Sequence, residues 1–366
     1  MKITNAPPLA TREMERSPIE DVVNHVESTA VDEAPDPALG LITWRRVALL
    51  YLAGLAATIL PLLLLAQEFF WINILTYTYL FAGLAMAWNI VAGFGGQFSL
   101  GHGVFFAIGA YTTARLFLDW HVSPWLGILP GAIASAIIGP MIFLPTFRLK
   151  GSFFAIATLA FNEVALVFAN YFESITGGPR GLQVPFRAGL ANMIFTSPRS
   201  YALLMFVFMA VTLAIVIVLM RARLGYYLLA VREDEDAARA AGISVTSVKL
   251  RATALSASLT AIGGGLFAMY VRTIDPLTLF SLPDIGVKFA LLSLIGGMGT
   301  VAGPILGAFL IVPLESFFRA SLGGEGPGIH LILLGVVMLL AALFMRRGIA
   351  GAIDTLWHRW RHARNR

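Results

Sequence analysis

Ser99 and His102 stand three residues apart in Gly96-Gln97-Phe98-Ser99-Leu100-Gly101-His102, a spacing that puts a hydroxyl and an imidazole on one helical face. In a hydrolase such a pair would supply nucleophile and base. Gln97 occupies the place where a nucleophile elbow needs glycine. No third group or oxyanion donor set accompanies the pair, so a serine hydrolase is the weakest reading of these residues. Glu163 lies beside Asn162 in the apolar run TLAFNEVALVF. A carboxylate in such surroundings faces water, pairs with a cation or is protonated. For Gln97, Ser99, His102 and Glu163 two readings stand side by side: polar lining of a solute path, or hydrogen-bonded packing between helices. The lysines Lys2, Lys150, Lys249 and Lys288 precede Ile3, Gly151, Leu250 and Phe289, so none closes a phosphate loop. The six histidines form no H-E-x-x-H pair. With no cysteine in the chain, thiol catalysis and cysteine-ligated metals drop out. Neither a metal nor a cofactor is expected.

The elements that must hold these residues are membrane helices. Of the 366 residues 58% are hydrophobic and 13% charged, about half the charge of a soluble domain, and the mean hydropathy is +0.78. Apolar runs near the length that crosses a bilayer are expected to form spans at 47–66, 69–92, 100–118, 125–145, 152–170, 200–220 and 252–272. The stretch 280–318 is broken by Gly296-Gly297-Met298-Gly299-Thr300 and Gly303-Pro304 and divides into two short spans; a last span covers 327–345. The fold class is therefore an all-α polytopic membrane protein of about ten transmembrane helices. Arg45-Arg46, Arg148 with Lys150, Arg221 with Arg223, and Arg346-Arg347 then all fall on one side, which the positive-inside rule makes the cytoplasm. Both termini are expected there. Arg115, Arg272 and Lys288 are expected near span ends, snorkelling.

Residues 1–42 read as a disordered cytoplasmic leader, 43–348 as the membrane domain, 171–199 as an external loop and 349–366 as a basic tail with Trp357 and Trp360 at headgroup level. The net charge of +5 follows from loop Arg and Lys; the expected surface partner is lipid, and nucleic acid is not a partner. The segments 93–103 and 296–304 are candidates for re-entrant or broken helices, with close packing through small residues as the alternative.

One charged segment interrupts the hydrophobic body, Arg221 to Arg251. A helix over 228–241 would bring Ala237, Ala238 and Ala241 onto one small-residue face, with Gly242 as its stop. Arg232, Glu233, Asp234 and Asp236 would steer and register a partner. The plain alternative is a solvated helix that keeps charge out of lipid. About 30 residues is more than a connector needs, which favours docking.

Asp236-Ala237-Ala238…Gly242 resembles the EAA-type motif by which ABC importer permeases engage their ATPases, with Asp in place of Glu. GFGGQFSLGHGVFFAIGAYTTA (93–114), LKGSFFAIATLAFNEV (149–164), SITGGPRGL (174–182), AVREDEDAARAAGISVTSVKLRA (230–252) and GGMGTVAGPILGA (296–308) follow in the order of LivM-type branched-chain amino acid permeases. The resemblance runs from about 70 to 348. Gly225-Tyr226-Tyr227 departs from the expected Gly-Arg start of the loop. The resemblance implies a non-enzymatic permease subunit in a bacterial inner membrane. It would pair with a second permease, two cytoplasmic ATPases and a periplasmic binding protein. Arg232 to Gly242 would be the ATPase contact, and branched-chain amino acids the cargo. Related permeases carry urea or short amides, and a secondary transporter moving protons through Glu163 and His102 is the reading from another class.

Overall fold

The computed structural model describes residues 44–65, 68–149, 151–322, 335–336 and 348–351. The expected leader, nearly all of the 327–345 span and the tail from 352 lie outside the described residues. The chain divides into two units, Met1–Gly54 and Leu55–Arg366. The described part of the first is the opening of helix α1 (Trp44–Leu65), and the fold below belongs to the second.

Each expected span that falls on described residues is met by a helix, and among the described residues seven are long and apolar enough to cross a membrane. Helix α2 (Phe69–Asn89) is apolar on every side, as a helix at the centre of a bundle must be. From Ile72 to Phe94 every residue but Asn73 and Tyr77 is buried. Thr76 and Thr78 return their hydroxyls to the carbonyls of Ile72 and Ile74, each at 2.8 Å, so they add no unpaired polar group to this core. A π turn over Ile90–Phe94 ends α2, and an irregular stretch, 95–101, leads to α3 (His102–Trp120). Helix α4 (Pro124–Phe143) opens on proline, whose missing N–H costs nothing at a first turn. Helix α5 (Ser152–Tyr171) is the opposite of α2, with only Phe154, Thr158, Asn162 and Ala169 buried.

Between α5 and α6 (Pro198–Arg221) the connection is structured. A tight turn forms at 176–181, with Gly177, Gly178 and Gly181 all at positive φ. It leads to β1 (Leu182–Gln183), which pairs antiparallel with β2 (Thr273–Ile274), Leu182 opposite Ile274. Helices α7 (Arg223–Glu233) and α8 (Glu235–Ala240) cross the other end of the bundle, and α9 (Val245–Val271) returns through it. Helix α9 packs along α3, α4 and α2, whereas α6, α10 (Lys288–Gly297) and α11 (Gly303–Leu322) pack against α2.

The broken span lies between β2 and α10. Asp275 caps a single turn, Pro276–Leu279, its carboxylate accepting from the Thr278 N–H at 2.9 Å. The chain bends at Phe280-Ser281, and a π turn over Leu282–Val287 feeds α10. The freed Phe280 carbonyl accepts from Asn162 Nδ2 of α5 at 2.9 Å, the protein partner that irregular backbone needs at membrane depth. At 296–307 the glycines serve close packing. A Cβ on Gly296 would strike the Gly303 carbonyl, and one on Gly307 the Leu292 carbonyl, so α10 and α11 touch backbone to backbone.

Candidate functional site

The helix expected over 228–241 is two helices. Asp234 adopts an extended conformation (φ −155°, ψ 114°), and its Oδ1 accepts from the N–H groups of Asp236 and Ala237 at 2.8 and 3.0 Å. An aspartate in that role begins a new helix, and α7 stops at Glu233. Gly242 ends α8 as expected: at φ +82° its N–H reaches the Arg239 carbonyl and the Ile243 N–H the Ala238 carbonyl, both at 3.0 Å, the paired bonds of a Schellman motif. The small-residue face is divided. Ala238 is buried against the bundle, while Ala237, Ala240, Ala241 and Gly242 are exposed beside Asp236 and Arg239. The side chains of Asp236 and Arg239 pair at 2.7 Å in an exposed geometry that adds little stability. Glu235 turns inward to Lys249 of α9 at 2.5 Å, pinning α8 to the membrane helix.

Arg232 is the link between this loop and the interior. Its Nε and Nη2 donate to Glu233 Oε1 at 3.1 and 2.7 Å, and its Nη1 donates to the Gly93 carbonyl at 3.0 Å. Gly93 sits where α2 meets the α10–α11 turn. Asn89 holds that turn with both ends of its amide, Nδ2 donating to the Thr300 carbonyl and Oδ1 accepting from the Gly299 N–H, each at 2.9 Å. A Cβ on Gly93 would meet the Gly299 nitrogen at 2.5 Å, and one on Gly96, already at φ +70°, the Arg232 Cγ at 2.9 Å. The glycines of the two Gly-rich segments therefore admit one arginine between loop and membrane helices. Gln97 is buried in this region and lines a cavity of about 370 Å³ with Arg232, Asp234, Asp236 and Lys249.

The four path candidates do not form one cluster. Ser99 and His102 are fully buried. His102 Nδ1 lies 3.1 Å from Ser99 Oγ and Nε2 lies 2.9 Å from Ser256 Oγ of α9. Ser256 in turn donates to the Ala87 carbonyl of α2 at 2.6 Å, and Trp88 Nε1 to the Ser99 carbonyl at 2.7 Å. This network ties α2, the 95–101 stretch, α3 and α9 together. Replacing His102 with alanine removes a partner from each of two buried hydroxyls and opens a void. Purified His102→Ala protein is expected to be less stable by about 2 kcal/mol, read as a lowered melting temperature. Glu163 stands apart, exposed on α5 among Ile156, Val164, Val167 and Phe168, which are exposed too.

A second charged group was not anticipated. Arg115 lies five residues before the end of α3, bonded to the Ile175 carbonyl at 2.5 Å, and Arg272, just past the end of α9, stacks over Phe186 at 5.1 Å. Lys288 does not snorkel. Its side chain is 12% exposed, pairs with Glu315 Oε2 of α11 at 2.6 Å and lies 4.4 Å from the Phe81 ring. Glu315 Oε1 also accepts from Arg319 at 2.7 Å. The signal for this group was a glutamate and an arginine four apart in VPLESFFRA, on one face of a helix otherwise apolar. Among the described residues no cluster of three or more His, Cys, Asp or Glu is placed to hold a metal.

Residues 70–342 match the family model described as the branched-chain amino acid transport system permease component. The high-affinity branched-chain amino acid transport permease protein LivM of Salmonella typhimurium is 30% identical over 302 residues, 76% of this chain and 69% of that protein. The probable LivM of Methanocaldococcus jannaschii is 25% identical over 61% of this chain and 67% of its own length. The corresponding LivH of Salmonella typhimurium is 25% identical over 74% of this chain and 91% of its own. No solved structure matches. With its apolar helices and this match over most of its length, the chain is a multi-pass membrane protein that belongs to the branched-chain amino acid transport permease family.

Proposed function

We propose that this chain is one of two different permease subunits of an ABC importer in the bacterial inner membrane. It translocates branched-chain or similar small amino acids that a periplasmic binding protein delivers. Two separate cytoplasmic ATPases dock on the 221–251 loop and supply the energy, and both termini lie in the cytoplasm. The chain is a transport subunit and not an enzyme. Arg232 carries this reading. It joins a loop whose exposed face is made of alanines, Gly242 and paired charges to the backbone of the membrane core at Gly93. A partner that moves the loop therefore moves the ends of α2, α10 and α11. Glu163 supports the second permease subunit. A carboxylate exposed in mid-span is too costly to leave in lipid, so that face of α5 belongs against protein or water. Gln97, with the loop residues, and Glu163, on α5, are the places where the path is proposed; Ser99 and His102 frame it as packing.

Uptake by membranes carrying the whole assembly tests this. The energy source should be ATP: a hydrolysis-dead ATPase partner abolishes uptake, and a protonophore with ATP maintained leaves it intact. In the same assay Asp236→Lys, or Gly242→Leu, which strains a left-handed residue by about 1–2 kcal/mol and projects a side chain into open space, should leave ATP hydrolysis running without uptake. Protonophore-sensitive uptake would move the protein to the secondary transporters. Normal coupling in both loop variants would remove the docking assignment.

A further inference from the structure

Lys288, Glu315 and Arg319 open onto a cavity of about 700 Å³ between α2, α10, α11 and the bend at 280–281, within the size range of small-ligand sites. Two cations share one carboxylate there, Glu315 accepting from Lys288 at 2.6 Å and from Arg319 at 2.7 Å. The group carries one formal positive charge inside segments long and apolar enough to span a membrane. The Asp284 carboxylate on the same cavity offsets that charge, so the lining is neutral overall with one positive and one negative pole. Arg319 lines the cavity and is 59% exposed, and beyond the bond its Nη2 gives to Glu315 the guanidinium has further N–H groups for a carboxylate. Asp284 lines the same cavity, is exposed, and accepts from the Ser281 hydroxyl at 2.7 Å. It offers a negative group to an ammonium. Ile74, Phe81 and Val312 supply an apolar wall.

From this charge order we infer that the cavity binds an α-amino acid as its zwitterion. The carboxylate lies toward Lys288 and Arg319, the ammonium toward Asp284, and an apolar side chain against the wall. The inference rests on the importer reading for its cargo and adds the place in this subunit where the cargo pauses. Neutral solutes such as urea need neither charged pole, so the site selects amino acids over amides.

The chain has no cysteine, so Ser316→Cys places a unique reporter on the cavity wall. Ser316 lines the cavity and spends its hydroxyl on its own helix, at the Val312 carbonyl, so the exchange is mild. In membranes containing the full chain with its partner subunits, a methanethiosulfonate reagent labels the reporter, and the label is read by mass on this chain. L-Leucine is expected to protect. L-Leucinamide, which lacks the carboxylate, and 4-methylpentanoate, which lacks the ammonium, should each need about tenfold more for equal protection, and urea should not protect. Adding Asp284→Asn should erase the preference for leucine over 4-methylpentanoate. Asp284 is exposed and makes no salt bridge at 4.0 Å or less among the described residues, so this variant keeps the Lys288–Glu315–Arg319 group. Leucine uptake with equal protection by all four compounds, with protection by none, or with a reporter the reagent never reaches overturns the site and leaves the importer reading standing. An assembly that takes up amides and no amino acid overturns the importer reading's cargo and, with it, this inference.

Discussion

Arg232→Ala is expected to lower uptake per ATP hydrolysed by about tenfold to a hundredfold, because it removes a charge-assisted hydrogen bond from a part-buried carbonyl. The bond to Gly93 is the contact through which the loop reaches the α2 end. The rest of the loop does not depend on it: Asp234 still caps α8, and Glu235 still holds Lys249. Assembly with the ATPases and basal ATP hydrolysis should therefore persist, which separates this variant from one that fails to fold. Arg232→Lys should recover only part of the coupling. Arginine here donates in two directions, to Gly93 and to Glu233, and one ammonium cannot reproduce a planar fork. Uptake and hydrolysis are measured on the same vesicles. An alanine variant with an unchanged ratio would show that the loop drives the membrane helices by another contact.

The spans were legible because length and apolarity alone decide whether a helix crosses a bilayer. Their burial was not. Helices α2 and α5 are both apolar runs of similar length, yet one is the core and the other faces outward. Lipid and protein interior select the same side chains, so the pattern that separates inside from outside in a soluble helix is lost. Polar residues restore some of it: Asn162 points to the bend at Phe280 and the neighbouring Glu163 away from the bundle. The break at Asp234 was hidden for a different reason. Glu233, Asp234, Glu235 and Asp236 are consecutive acids, and composition does not say which one turns from helix former to cap. Lys288 and Glu315 are 27 positions apart, and only the tight α10–α11 crossing through Gly296 and Gly307 brings them together. Close packing through small residues was one of the two readings of 296–304; the ion pair belonged to neither.

Gly264→Ala is expected to be severely damaging, whereas Gly263→Ala, one residue away, should be mild. A Cβ on Gly264 would run into the Phe106 carbonyl oxygen and lie 2.8 Å from its carbon. Carbonyls on a helix cannot rotate aside, so α3 and α9 must separate. Gly109 is locked in the same way against the Ala261 backbone, and Gly265 against Thr113 Oγ1 at 2.6 Å and Ile128 at 2.9 Å. Spreading the two helices would loosen the whole seam, at a cost of about 3 kcal/mol or more. A Cβ on Gly263 instead meets the Leu84 Cδ2 at 2.6 Å and the edge of the Phe208 ring at 3.2 Å, side-chain ends that can shift. Alanine's better helix propensity, worth about 1 kcal/mol, then offsets most of the crowding. Melting temperatures and the yield of monodisperse protein in detergent check the contrast. Equal losses at the two positions would mean that α3 and α9 are not in backbone contact, and the network around His102, which depends on that contact for its register, would have to be redrawn.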